Sequence, residues 1–284
     1  MTIKENTVLI LGAGASIPYG FPDGDQLISQ IIECAGTDNE IIEIAKKYNK
    51  YPQTFKLGVQ NIREELIEDR PSSIDVFLAG REKDTQEVGK LLVEHSLVKF
   101  YSKNKFKNEE GQWYKELYKM LNFDEELHQF GNNKLSIISF NYDTSLDNFL
   151  EKRLKADYKK HHPDEVMAQL KRLPIFHIYG QIGQYQYDST GQVISNGITL
   201  MGECNCMADV QNRLRLAERI VFIGFGYHKE NLSILGLNAL KACNHLQGTM
   251  YEVSNRIKNN IKEVFDGRLI GFDVDAFKFF KEIF

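Results

Sequence analysis

Apolar residues in this chain fall into short uninterrupted runs, separated by longer stretches in which they recur every three or four positions. The runs predict buried strands at Thr7–Leu11, Leu135–Phe140, Pro174–Tyr179, Arg219–Ile223, Thr249–Val253 and Arg268–Phe272. Between the first two, Leu27, Ile28, Ile31 and Ile32 share a helical face, and Ile41, Ile42 and Ile44 open a second helix. Val59, Ile62, Leu66 and Ile67 predict a third, Val88, Leu91, Leu92 and Leu97 a fourth, and Trp113, Leu117 and Leu121 a fifth. The polar stretch Lys103–Gln112 reads as a loop or excursion. This block is too long for one crossover helix, so it predicts a helical insertion over 36–132 within a single domain spanning 1–284. Strands alternating with helices predict an α/β fold: a Rossmann-like parallel sheet of about six strands with helices on both faces.

The first strand ends in Gly12-Ala13-Gly14-Ala15-Ser16. That reads as strand, tight turn and helix, a place where backbone N–H groups can hold an anion such as phosphate. A dinucleotide-binding dehydrogenase is disfavoured. Its fingerprint needs a third small residue where Ile17 stands, and its ribose-holding acid is matched in distance only by Glu33, inside the first helix. The strand ends share a pattern. Gly20-Phe21-Pro22-Asp23 follows the first, Asn141-Tyr142-Asp143 the second, and His177, Tyr179 and Gly180 close the third. Gly224-Phe225-Gly226-Tyr227 follows the fourth, and Glu252, Ser254 and Asn255 accompany the fifth. Polar residues and glycines gathered at one edge of a parallel sheet point to one shared ligand site.

Composition narrows the classes. The chain has 284 residues, 42% of them apolar, with a net charge of -4 and a pI near 6.0. No global basic field points to nucleic acid. Met1–Asn6 does not read as a signal peptide, and no run reaches the about 18–20 apolar residues of a membrane helix. Cys34, Cys204, Cys206 and Cys243 form no C-x-x-C pair, so a cysteine zinc module and a metal cofactor are not expected, and a cytoplasmic setting fits.

Gly12-Ala13-Gly14-Ala15-Ser16 with Pro22-Asp23, then Phe140-Asn141-Tyr142-Asp143, then Tyr179-Gly180, resembles the sirtuin superfamily. It is most similar to the SIR2-like NAD-cleaving domains of bacterial anti-phage defence. The resemblance implies NAD as substrate and hydrolysis of its nicotinamide–ribose bond. Gly12, Ala13, Gly14 and Ser16 would hold the pyrophosphate. Pro22 and Asp23 would lie on a loop over the nicotinamide half. Asn141 would sit beside the nicotinamide ribose, and Asp143 would receive the carboxamide. Gly180 follows the position of the family's base, while Gly224, Gly226 and Glu252 would line the adenosine half. The resemblance further implies a homo-oligomer and a protein partner, a HerA-like ATPase or a nucleotide-handling protein, with no membrane or direct nucleic-acid binding. The alternative is a non-catalytic NAD- or ADP-ribose-binding sensor subunit.

Two departures matter. The four zinc cysteines of sirtuin deacylases are missing, which favours hydrolysis over deacylation. Tyr179 stands where the family has its catalytic histidine, and His177 lies two residues earlier on the same strand face, about 6–7 Å back. Three readings stay open: His177 takes over as base, Tyr179 serves with Asn141, or the chain is inactive as written. A His-to-Tyr change made in the laboratory would also produce this sequence. Structural roles compete at each position. Asn141 and Asp143 suit a helix N-terminus, His177 a core histidine, and Gly224 and Gly226 a close-packed strand end. His161-His162 reads as a solvated loop, and Cys204 and Cys206 as ordinary thiols. The helix carrying Phe277, Phe280 and Phe284 either packs on the sheet or docks another subunit.

Overall fold

The structure is a computed structural model describing residues 3–101, 112–123, 125–183, 186–187, 193–195, 197–200 and 202–284. The expected excursion after Tyr101 lies outside them, except for Gln112. In chain order, β1 (Thr7–Leu11) leads through two 3-10 turns, Ala13–Ala15 and Ile17–Tyr19, to five helices. These are α1 (Gly24–Ala35), α2 (Asp38–Lys47), α3 (Pro52–Asp69), α4 (Ile74–Ala79) and α5 (Lys83–Tyr101). Next come α6 (Trp113–Leu121), α7 (Leu127–Phe130), β2 (Leu135–Ser139), α8 (Ser145–Asp157), α9 (Pro163–Leu170) and β3 (Ile175–His177). The short strands β4 (Gln186–Tyr187) and β5 (Val193–Ser195) follow, then α10 (Met207–Leu216), β6 (Arg219–Ile223), α11 (Lys229–Leu235) and α12 (Leu237–Ala242). The chain ends with β7 (His245–Thr249), α13 (Asn255–Val264), β8 (Leu269–Phe272) and α14 (Ala276–Glu282).

These elements form two compact units: Met1–Tyr19 with Asn108–His177 and Asn205–Phe284, and Gly20–Lys107 with Ile178–Cys204. The first holds a six-stranded, all-parallel sheet in the order β3-β2-β1-β6-β7-β8, the Rossmann-like α/β arrangement expected from the alternating pattern. The three central strands are almost wholly buried, because their side chains are apolar on both faces. Register brings Leu11, Ser139 and Ile223 level, with His177 opposite Ser139, so four strand ends share one edge.

Two strands differ from the sequence pattern. The fifth expected strand, Thr249–Val253, is instead His245–Thr249, placed between β6 and β8. Its polar Gln247 is accommodated by a 3.0 Å bond from Arg219 Nε, while Tyr251 and Glu252 beyond it are exposed, with Glu252 at φ 57°. The third strand stops at His177. Ile178 onward belongs to the other unit, where Gly180 (φ +71°) bridges to Ile198.

The Phe280 ring stacks on Trp113 with centroids 5.0 Å apart, and Phe279 is buried, so α14 packs within the sheet unit. In the second unit, α1 is amphipathic, with Leu27, Ile28, Ile31 and Cys34 buried, and packs on α3 and α5. A helix therefore does not begin at the glycine turn. It begins at Asp23, whose side chain accepts from Gln26 N–H at 2.8 Å while Gln26 returns a bond to Asp23 N–H. Cys204 and Cys206 are disulfide-bonded rather than ordinary thiols. No helix among the described residues is long and apolar enough to cross a membrane.

Asn133 ties the entry of β2 to its surroundings. Its side chain donates to Leu121 O (2.8 Å) and Phe130 O (2.9 Å) and accepts from Ile3 N–H (2.9 Å), all buried. Asn133→Ala leaves these backbone groups without that partner. It is expected to destabilise the protein by about 2–4 kcal/mol in urea unfolding, since each orphaned buried group costs about 1–3 kcal/mol.

Candidate functional site

Strand order reverses between β1 and β6, so the ligand crevice expected of such a sheet lies beyond the carboxyl ends of these two strands. Both ends carry glycines, and the two loops touch backbone to backbone. Gly12 N–H donates to Ile223 O (3.1 Å) and Gly14 N–H to Gly224 O (3.0 Å). A Cβ on Gly12 would stand 2.6 Å from Gly224 O, and one on Gly224 (φ +56°) 2.1 Å from Ala15 N. The amides of Ala15 and Ser16 are bonded as well, to Gly12 O and Ala13 O. Four of the five amides from Gly12 to Ser16 thus have partners inside the protein. The turn is a packed joint, differing from the open anion cradle expected of a strand–turn–helix.

A buried polar cluster adjoins this joint. Asn141, just past β2, is 8% exposed; its Nδ2 donates to Gly12 O and to Ser16 Oγ, both at 3.0 Å. Because a carbonyl can only accept, the bond to Gly12 O fixes which side of the amide carries nitrogen. The other atom, Oδ1, is buried with no hydrogen-bond partner among the described residues. Asp143 is also buried and accepts from Ser145 N–H at 3.0 Å and from the Ser145 hydroxyl, which lies 2.6 Å from Tyr114 Oη. Burial holds the Asp143 carboxyl above the usual carboxylate range, against hydrogen bonds from Ser145 and Ser16 and the charge of His177. The carboxyl also serves the start of α8, where Thr144 makes no side-chain cap. The site and helix-terminus readings of this residue therefore coexist.

His177 is held between two acceptors. Nδ1 lies 3.1 Å from Asn141 O and Nε2 3.3 Å from Asp147 Oδ1, and the side chain is 5% exposed. With both ring nitrogens engaged, the imidazole pins Asn141 to α8. A neutral imidazole can donate to only one of the two acceptors.

The remaining sequence-selected residues fall in both units. Ala13 is half-buried in the joint. Gly226 is exposed, and a Cβ there would meet the His228 ring at 2.7 Å. Glu252 is exposed beyond β7. Pro22, Asp23, Tyr179 and Gly180 belong to the second unit. There Tyr179 is 1% exposed and its carbonyl accepts from Thr199 N–H at 2.9 Å.

Several participants were not among the site residues selected from the sequence. Tyr114 and Trp113 come from α6; Trp113 Nε1–H donates to Ala15 O (2.8 Å), and Tyr114 stacks on Tyr19 at 3.6 Å. Thr249 Oγ1 accepts from Gly224 N–H at 3.0 Å. Ser145 and Asp147 could have been found as the residues two and four beyond Asp143, on the first turn of the next helix.

A carboxyl with a raised folded pKa binds more protons folded than unfolded. Its contribution is favourable below the ordinary carboxylate range and is lost as pH rises through the raised value. Asp143→Asn keeps an acceptor for Ser145 and removes that loss. It is expected to melt about 2–4 °C above the parent at pH 7, with the gap closing or reversing toward pH 4 in parallel thermal scans. The chain matches no protein-family model and no curated protein.

Proposed function

We propose that this chain is an NAD+ hydrolase that cleaves the nicotinamide–ribose bond to give nicotinamide and ADP-ribose. The observation carrying this reading is Asn141: a buried amide just past β2, bonded to Gly12 and Ser16 beside the switch point of the parallel sheet, with Oδ1 unpartnered among the described residues. That atom suits a ribose hydroxyl or the attacking water. Asp143, kept toward its protonated form by burial, suits a carboxamide. Cleavage passes through an oxocarbenium-like state, which rewards a rigid, water-poor setting with fixed dipoles. The resemblance to SIR2-like defence domains supplies the biological setting. This would be a cytoplasmic anti-phage effector depleting NAD, working as a homo-oligomer with a HerA-like ATPase or nucleotide-handling partner.

His177 favours a second reading. Each of its ring nitrogens faces an acceptor, and Tyr179 stands where the resembled family has its histidine, which suits a sensor subunit that binds NAD or ADP-ribose without turning it over.

The deciding experiment follows NAD+ loss and nicotinamide release by the purified chain, alone and with the product of the neighbouring gene. The hydrolase reading expects turnover that falls about 10²–10³-fold in Asn141→Ala, the usual effect of removing one transition-state-stabilising group. Turnover only in Tyr179→His identifies a silenced enzyme. Saturable ADP-ribose binding without turnover in any version establishes the sensor. Absence of both binding and turnover overturns both.

A further inference from the structure

The helical unit contains a cluster that the switch-point residues do not explain. Cys34 lies near the end of α1, Glu40 in the first turn of α2 and His95 in the middle of α5. The Gly36-Thr37 turn joining α1 to α2 brings the first two together, and the packing of α1 and α2 on α5 adds the third. One ligand-type atom from each, Cys34 Sγ, a Glu40 carboxylate oxygen and a His95 ring nitrogen, lies within 4.8 Å of the other two. Cys34 is fully buried, and the His95 side chain is 11% exposed.

Two polar atoms of the cluster, Glu40 Oε2 and His95 Nε2, stand 3.4 Å apart, and both are buried without a hydrogen-bond partner among the described residues. Such orphaned atoms cost folding free energy unless something else engages them. A cation is already drawn to the spot: Lys99 Nζ sits 2.6 Å from Glu40 Oε1 and 3.3 Å from Cys34 Sγ. The Lys99 side chain is 34% exposed, so its ammonium can move out into water.

We propose that Cys34, Glu40 and His95 form a Zn2+ site joining α1, α2 and α5, at which the Lys99 ammonium occupies the cation's position when the metal is not bound. A thiolate, a carboxylate and an imidazole form a ligand set suited to zinc, with a fourth position for water. Bond lengths of about 2.0–2.3 Å put ligand atoms roughly 3.3–3.8 Å apart around a tetrahedral ion, so no pair has to close by more than about 1.5 Å. Charge balances in both states. Without metal, a neutral thiol and Glu40⁻ face Lys99⁺. With metal, the thiol proton and Lys99 pass to solvent, and two anionic ligands face Zn2+. Ser96 Oγ (3.7 Å) and Gln30 Nε2 (3.6 Å) already point hydrogens at the sulfur and would orient the thiolate.

The test titrates the full-length chain with Zn2+ against a chelator of known affinity, and with Co2+ as a spectroscopic probe. The expected result is one equivalent bound, a thiolate-to-cobalt charge-transfer band, and the intense visible bands of tetrahedral Co2+. Cys34→Ser should remove the charge-transfer band, and His95→Gln, which removes a ligand, should weaken Zn2+ by more than the about tenfold that loss of an outer-shell partner costs. Lys99→Met, at a partly exposed position, should strengthen Zn2+ binding about tenfold by removing the competing cation. A cluster that is only an ion-pair network predicts no such gain. Failure of the parent chain to bind Zn2+ stoichiometrically overturns the proposal. So does binding that Cys34→Ser and His95→Gln leave unchanged, or that Lys99→Met weakens.

Discussion

The contact between the loop after β1 and the loop after β6 is the constraint on which the sheet unit depends. Gly12 and Gly14 lie against Gly224 so closely that a single Cβ on any of them would overlap backbone atoms. Glycine is needed here because two main chains must approach without side chains between them. Two inter-loop hydrogen bonds extend the β1–β6 ladder past its last paired residues, Leu11 and Ile223. Thr249 secures the far loop through Gly224 N–H, Trp113 holds Ala15 O, and Asn141 holds Gly12 O. The joint thus receives a bond from the loop after β2, from β7 and from α6. Moving it would break all three together.

How much of this was legible in the sequence follows from what each signal depends on. β1 and β6 read directly, because a strand buried on both faces is a continuous apolar run with nothing to confuse it. β7 did not. His245-Leu246-Gln247-Gly248-Thr249 looks polar, and its place is set by Arg219 on the neighbouring strand, a partner that local pattern cannot show. The apolar letters Met250, Tyr251 and Val253 belong to the turn beyond it. The spacing of Leu27, Ile28, Ile31 and Ile32 marks α1, and its start is marked by Asp23-x-x-Gln26, a capping box.

The polar cluster shows the same division. Asn141, Asp143 and Ser16 were legible because residues at the carboxyl ends of parallel strands converge by topology alone. Tyr114 was not, since it arrives on a helix from outside the strand–loop pattern, and helical spacing marks it only as core. His177 was visible as a residue but not as a pin. Its role depends on Asp147, four residues beyond Asp143 on α8. Sequence gives the alternation of faces along a strand, while the acceptors waiting at the end of a side chain belong to the assembled fold.

The cluster's energetics also bear on what it is for. A buried acceptor without a donor, as Asn141 Oδ1 is among the described residues, costs about 1–3 kcal/mol. Asp143 adds to this at neutral pH, because burial opposes its charged form. Neither cost is needed to hold the joint: the Asn141 amide nitrogen makes both of its bonds to Gly12 and Ser16, and helix N-termini are capped without buried carboxyls elsewhere in the chain, as by Ser254 at α13. A ligand that donates to Oδ1 and pairs with the Asp143 carboxyl would remove both costs at once. The unsatisfied groups beside the joint are thus an amide oxygen and a buried carboxyl, while four of the five turn amides are already engaged.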